Sequence, residues 1–419
     1  MLRFKLFCIA CVFLAYLPCP ASAEALTLVR TEALWREANI DLKLARHAID
    51  AATGDVSTAD RRENPNFSLA STYLSPRAGL GSGGLRSKNA DSVLRLEQLV
   101  ERGNKRAYRT QNAEARLSAA RLDAEDAERS GLLQLRQSYW DLKLAFERER
   151  LSEATAQLAR DAIVAAEKRL KVGDISAADV SRLRVDTLRS ENDARAALTD
   201  RQKSQLMLAI LIGRSGDADV LSCADDWPRT SEVPALSTTV AHWENRADIR
   251  ASMARVVAAE AVLETARSLG KRDITVGMQF EHYPTIGYQA PNNTWGLSFG
   301  IPLFASHAYE GEMRRAIAEL EQARDQAERT RMIARADAVR AANDFRANVE
   351  RLNGLETTLL PEAEKVTAAA EFAYRKGATS LLELLDARRT LRQIQQEAAT
   401  AKSDYAKALV AMQLQGIGK

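Results

Sequence analysis

The side chains best able to do chemistry in this sequence are few and scattered. Four histidines, His47, His242, His282 and His307, fall singly, without the H-E-x-x-H spacing or a cysteine partner that a metal site needs. Cys8, Cys11 and Cys19 crowd the N-terminus, and only Cys223 lies in the body of the chain. A lone thiol cannot form an internal disulfide. Gly79-Leu80-Gly81-Ser82-Gly83-Gly84 has the glycine density of a phosphate loop, but no Lys-Ser/Thr follows and candidate strands flank it, so it reads as an exposed loop. No nucleophile–base pair is visible. The residues predict no enzyme, no cofactor and no resident metal.

Two small constellations remain. Gly173 is followed by Ser176 and Asp179, and Gly377 by Ser380, Glu383 and Asp386. Glycine permits the φ > 0 turn that ends one helix, and a serine followed three residues later by an acid forms the capping box that starts the next. That local role is complete without any chemistry.

The elements that must position these turns begin with the N-terminus. Arg3 and Lys5 precede an apolar run from Leu6 to Leu17, and Ala21-Ser22-Ala23 offers small residues for cleavage, which predicts a signal peptide over 1–23 and a mature chain from Glu24. The run is shorter than the roughly 20 residues a permanent membrane helix needs. Acylation at Cys19 is the competing reading, and Pro18 directly before it fits that signal poorly. The 59 basic and 56 acidic residues give +3, which falls to +1 without Arg3 and Lys5, so charge gives no reason to expect a nucleic-acid partner. No later stretch reaches about 18 apolar residues, leaving a soluble chain or one inserted as a β-barrel.

Proline-free stretches rich in Ala, Leu, Arg, Glu and Gln predict helices over roughly 30–62, 105–171, 177–212, 236–269, 308–358 and 380–414. At ~1.5 Å per residue the second would be about 100 Å long, with Gly131 its one candidate interruption. In the last, Leu384, Leu391, Ala398, Tyr405 and Met412 recur every seven residues, with Ala387, Ile394, Ala401 and Ala408 three residues behind. This 3-4 spacing is that of a left-handed coiled coil.

The chain also repeats. Lys171-Val172-Gly173 with Asp179 and Thr187-Leu188-Arg189 returns about 203–204 residues later as Lys376-Gly377 with Glu383 and Thr390-Leu391-Arg392. Leu94-Arg95-Leu96 likewise returns as Leu297-Ser298-Phe299, and Trp35 has a looser echo in Trp243. A duplication is expected, with a first repeat over 24–213, a linker over 214–235 and a second repeat over 236–419.

Each half carries two alternating segments, expected as strands at about 65–75 and 91–101, then 273–283 and 294–304. Ile274, Val276, Met278 and Phe280 alternate with polar or small residues, as do Trp295, Leu297, Phe299 and Ile301. The first half is less regular, with Phe67, Leu69 and Tyr73, then Leu94 and Leu96 opposite Arg95 and Glu97. Period two over this length predicts a lipid face that includes Ile274, Val276, Met278, Phe280, Leu297 and Phe299. Tyr73, Tyr283, Tyr288 and Trp295 stand at the loop ends, where an aromatic girdle belongs. A soluble protein with two surface hairpins is the alternative. Four strands cannot close a barrel in lipid, so membrane insertion demands an oligomer, and three copies would supply twelve strands.

Taken together, the chain resembles the TolC family of trimeric outer-membrane efflux channels over essentially its whole mature length. Arg102-Gly103-Asn104-Lys105 and Ile301-Pro302-Leu303-Phe304 look most like the heavy-metal branch, which exports cobalt, nickel, zinc or cadmium. The resemblance implies a mainly α fold with a small β part: a long coiled-coil α-barrel plus four transmembrane β-strands per protomer, a homotrimer forming a twelve-stranded barrel. It implies a Gram-negative outer membrane reaching into the periplasm, and contacts with outer-membrane lipid, a periplasmic membrane-fusion adaptor and an inner-membrane RND transporter. Cargo alternatives are drugs or other small molecules; a periplasmic coiled-coil adaptor and a secreted hydrolase are the rival classes. Arg169 to Gly173 with Asp179, and Ala373 to Gly377 with Glu383 and Asp386, resemble the family's periplasmic tips. By that resemblance Asp386 forms an axial acidic ring and Tyr374 helps constrict it, while Thr379 stands where some relatives carry an arginine that ties the closed tips.

Overall fold

The computed structural model describes residues 24–72, 74, 90–230, 243–283, 293–305 and 307–416. The expected signal peptide, Tyr73, His242, Tyr288 and most of both strand-connecting loops lie outside the described residues.

The single helix expected over 30–62 is two. Thr27 caps α1 (Leu28–Ala38) by accepting the Arg30 N–H, and Asn39 then turns extended at φ −61° and ψ 127°, its N–H returning to the Trp35 carbonyl. The chain resumes as α2 (Ile40–Ala59). α3 (Lys105–Lys171) is 67 residues long and passes Gly131 without a break, and α4 (Ala177–Leu211) follows it. α5 (Ala247–Leu269) begins later than position 236, because Trp243–Asn245 form a 3-10 turn.

The stop expected at 358 does not occur. α6 (Glu310–Gly354) runs through a π-turn, Leu355–Leu359, into α7 (Leu360–Arg375), with Pro361 in the first turn of α7. Proline lacks an N–H and crowds the preceding turn, which ends a regular helix; the wider π-turn accommodates it, so the helix bulges and continues. α8 (Leu381–Gly416) completes the helices.

β1 (Glu24–Leu26) pairs in parallel with β4 (Leu221–Cys223). The remaining strands, β2 (Asn66–Thr72), β3 (Asp91–Val100), β5 (Ile274–His282) and β6 (Asn293–Gly300), form one antiparallel sheet in the order β2-β3-β5-β6. β6 stops at Gly300, short of 304, since Pro302 has no N–H for a ladder.

By compactness the described chain divides in two. One unit collects residues of 1–39, 132–233 and 345–410, the other residues of 40–131, 234–344 and 411–419. Each unit therefore draws on both halves of the sequence.

In the first unit the heptad seam of α8 is buried at Leu384, Ala398, Ala401, Tyr405 and Ala408. A second centre there was not legible in the sequence. The fully buried Tyr139 hydroxyl sits 2.9 Å from the Leu26 carbonyl and 2.8 Å from the Asp225 carboxylate, which also accepts the Leu28 N–H at 2.6 Å. Trp227 stacks on Trp140 at 5.5 Å, and the Lys143 ammonium donates to the Asp225 carbonyl. These bonds tie β1 and β4 to α3. In the second unit Val256, Leu263 and Ala266 of α5 pack against Ala316, Leu320 and Ala327 of α6.

Candidate functional site at the tips and the sheet

The two helical turns close alike. After α3 the Asp174 N–H reaches the Arg169 carbonyl and the Gly173 N–H the Leu170 carbonyl, both at 3.0 Å. After α7 the Ala378 N–H reaches the Ala373 carbonyl at 2.9 Å and the Gly377 N–H the Tyr374 carbonyl at 3.1 Å. This pair of bonds, five residues back and three back, is the Schellman closure, which needs a left-handed residue. Gly173 and Gly377 supply it with φ of +77° and +73°.

The caps differ from the expected reciprocal boxes. Ser176 Oγ accepts the Asp179 N–H at 3.1 Å, but the Asp179 carboxylate takes the Ser176 hydroxyl at 2.8 Å instead of the backbone N–H. At the second turn Ser380 Oγ accepts the Glu383 N–H at 3.3 Å, and Glu383 accepts the Thr379 hydroxyl. Asp179 thus holds the hydroxyl of the capping serine itself, and Glu383 that of the threonine before its capping serine.

The turns are also joined to one another. Arg169 forms an ion pair with Asp174 at 2.5 Å, its Nη1 donates to the Tyr374 hydroxyl at 3.3 Å, and its guanidinium lies 5.7 Å from the Tyr374 ring. The hydrogen bond Arg169 donates to Asp174 is the main reason its pKa is raised above its ordinary value. Ala166, Val180, Leu183 and Leu385 form the small core behind this contact. Asp386 lies apart from it, exposed on a groove of about 610 Å³ between α7 and α8 that Ala370, Ala373, Thr379 and Glu383 also line. Among the described residues Asp386 has no hydrogen-bond or ion-pair partner. The sequence showed Arg169 only as part of a tip motif; its pairing with Tyr374, 205 positions away, depends on the fold.

The sheet sorts its side chains by face. Register places Leu69, Leu94, Phe280 and Trp295 in one row across the strands, and Phe67, Leu96, Met278 and Leu297 in the next. Val276 pairs with Phe299, and Val100 with Ile274. Leu297 is 75% exposed, Phe299 70%, Trp295 70% and Met278 47%, an apolar surface of a kind a soluble protein covers. From Ile274 to Phe280 this band rises about 20 Å at ~3.4 Å per residue, the scale of a membrane-spanning strand. Gln98 falls on the same face, but its amide donates to the Glu63 and Leu99 carbonyls at 2.8 and 3.0 Å. The opposite face is polar: Arg95 donates to Gln279 at 2.9 Å, and Gln279 to Glu281 at 2.8 Å.

Where the strands meet the helices, charges are paired. Arg109 grips Glu101 through two bonds of 2.6 and 3.2 Å. The Lys105 ammonium donates to Asp273 at 2.8 Å and to the Lys271 carbonyl at 2.9 Å, and Asp273 also accepts the Arg102 N–H. Among the described residues, no helix is long and apolar enough to cross a membrane. No group of three or more His, Cys, Asp or Glu side chains there is arranged to hold a metal.

Comparison with known proteins agrees with this geometry. The family model described as outer membrane efflux protein matches residues 33–214 and 241–414. The cobalt-zinc-cadmium resistance protein CzcC of Cupriavidus metallidurans is 25% identical over 88% of this chain and 85% of its own. The pyoverdine export outer membrane protein OpmQ of Pseudomonas putida is 26% identical over 71% of this chain and 63% of its own. The crystal structure of the Campylobacter jejuni CmeC outer membrane channel superposes with a TM-score of 0.78 at 18% identity, covering 93% of this chain and 85% of that one. A mainly helical chain with one four-stranded sheet and these matches is an outer-membrane channel subunit and not an enzyme: it belongs to the outer membrane efflux protein family.

Proposed function

We propose that three copies of this chain form a passive export duct for divalent heavy-metal cations across the periplasm and outer membrane, served by a periplasmic adaptor and an inner-membrane RND transporter. The carrying observation is the sheet: four strands with one mainly apolar face, and two edges, β2 and β6, that no strand among the described residues covers. Such edges are untenable in lipid unless other copies pair with them, and three copies give the twelve strands of an ordinary barrel. Ile274, Val276, Met278, Phe280, Leu297 and Phe299 face lipid in this reading. The two matched stretches of the family model support a first repeat over 24–213 and a second over 236–419, joined by 214–235.

In the helical hairpins, Gly173 and Gly377 are the turns about which the duct relaxes to open. Asp386, lacking any partner among the described residues, becomes one third of an acidic ring beside Tyr374, with Asp179 and Glu383 holding their helix starts. The heavy-metal cargo rests on the name of one relative. A drug or other small-molecule cargo is the second reading, favoured by the pyoverdine-export relative.

Two measurements decide. Growth of a deletion strain across cobalt, nickel, zinc, cadmium, dyes and antibiotics assigns the cargo; sensitivity to dyes alone would remove the metal reading. Single-channel conductance of wild type and Asp386→Asn in planar bilayers tests the ring. Unchanged cation preference and unchanged cation block would take Asp386 off the axis.

A further inference from the structure

Beneath the apolar band, on the side where the strands turn into helices, the charge pattern changes character. Continuing the alternation past the ladder, Arg102 lies two residues beyond Val100 and Arg272 two residues before Ile274, so both keep the parity of the apolar face. Both are exposed, and neither guanidinium has a carboxylate partner among the described residues. Arg272 instead places its guanidinium over the ring of Phe304 at 5.1 Å, a cation–π contact that uses none of its N–H donors. Arg61 and Arg62, leading into β2, and Lys271 beside Arg272 are exposed and lack carboxylate partners in the same way.

The carboxylates at this level are mostly engaged elsewhere. Glu101 belongs to Arg109 and Asp273 to Lys105, so these pairs cancel. That leaves five cations without a carboxylate partner against Asp60 and Glu63. Leu303 is 79% exposed and Ile301 50% exposed at the end of β6, an apolar foot next to the cations. Unpaired arginines just outside an apolar band, with an exposed leucine beside them, match the boundary of a leaflet: acyl chain above, phosphate below. Guanidinium donors suit phosphate oxygens bidentately, and long basic side chains reach headgroups from a stem lying along apolar surface.

We propose that this collar, centred on Arg102 and Arg272 with Arg61, Arg62 and Lys271, binds the phosphates of anionic phospholipid in the leaflet that faces the periplasm. The proposal rests on the lipid-facing assignment of the sheet made above. It adds an orientation device, because a basic ring at one edge of the band fixes how far the sheet sinks into the bilayer.

Native mass spectrometry of the purified full-length protein in neutral detergent, titrated with phosphatidylglycerol or phosphatidylcholine, tests it. Wild type is expected to retain phosphatidylglycerol in preference. R102Q/R272Q is expected to weaken that retention about 25-fold, at about five-fold per basic residue. R335Q/R346Q removes two exposed arginines of α6 and is expected to change nothing. R102K/R272K keeps the charge and is expected to keep most of the preference, and R62Q/K271Q gives an independent loss if R102Q/R272Q fails to fold. Equal retention of both lipids by wild type, undiminished retention by R102Q/R272Q and R62Q/K271Q, or a loss equalled by R335Q/R346Q would each overturn the collar. Failure of wild type to enter liposomes at all would instead sink the lipid-facing assignment.

Discussion

Replacing Gly377 with alanine isolates what the second turn owes to backbone conformation alone. A Cβ built at Gly377 or at Gly173 would meet nothing within 4 Å, so neither substitution creates a clash. The cost is all in φ, which is +73° at Gly377 and +77° at Gly173. Holding an L-residue there costs roughly 1–2 kcal/mol, and the stiffer unfolded chain returns roughly 0.4–1 kcal/mol, leaving about 1 kcal/mol per turn. At room temperature that is about a five-fold shift toward the opened turn. Gly54→Ala in the interior of α2, where a Cβ also meets nothing within 4 Å, has the opposite expected sign, a gain of roughly 0.5–1 kcal/mol. The assay is amide hydrogen exchange over the peptide containing Ala378, whose N–H is bonded to Ala373 at 2.9 Å. Exchange there should quicken about five-fold in Gly377→Ala and less in Gly377→Asn, since asparagine tolerates the left-handed region. Exchange equal to or slower than wild type in Gly377→Ala would refute the argument, because no steric term is available to compensate.

Cys223 is expected to resist alkylation. Burial, above all, pushes its thiol up to about 12 from an ordinary 9.0, so at pH 8 its thiolate is about a thousandfold scarcer than in the unfolded chain. The rate with iodoacetamide should climb tenfold per pH unit up to about 12 and jump on denaturation; a plateau near pH 9 would contradict the burial. Lys105→Met should destabilise by roughly 2–3 kcal/mol, because it leaves Asp273 half-buried beside a lost ammonium. Asp273→Asn in the same background should recover part of that loss, measured as a double-mutant cycle in urea. Tyr139→Phe should cost about 1–2 kcal/mol by removing the hydroxyl between Leu26 and Asp225, and thermal midpoints of the detergent-solubilised protein would register it.

Periodicity carried most of the helical reading because it is a local property. The seam from Leu384 to Tyr405 needs only the residues of α8 to be seen, and the structure buries it. The alternation of Ile274 to Phe280 likewise announces a two-faced strand without naming its neighbours. Pairing of β3 with β5 is a different matter: Leu96 meets Met278 from the far half of the chain, and no local pattern encodes that choice. The same holds for Tyr139, which reads as one more aromatic in a long helix until Leu26 and Asp225 close around it. At Pro361 a correct local rule met an exception, since the π-turn before it lets the helix survive. The turn glycines were legible because positive φ leaves few alternatives, whereas the hydroxyl partners of Asp179 and Glu383 depend on rotamers that spacing does not specify.

The order β2-β3-β5-β6 also has a genetic consequence. One free edge comes from the first half of the chain and the other from the second, so copies join head to tail, each offering one edge and receiving another. In a ring of three, a chain with a ruined β6 edge can still capture a neighbour through its sound β2 edge, and it spoils the assembly it enters. If half of the chains in a cell were so damaged, only about one ring in eight would be whole. Such alleles should therefore be dominant over wild type, whereas null alleles should be recessive.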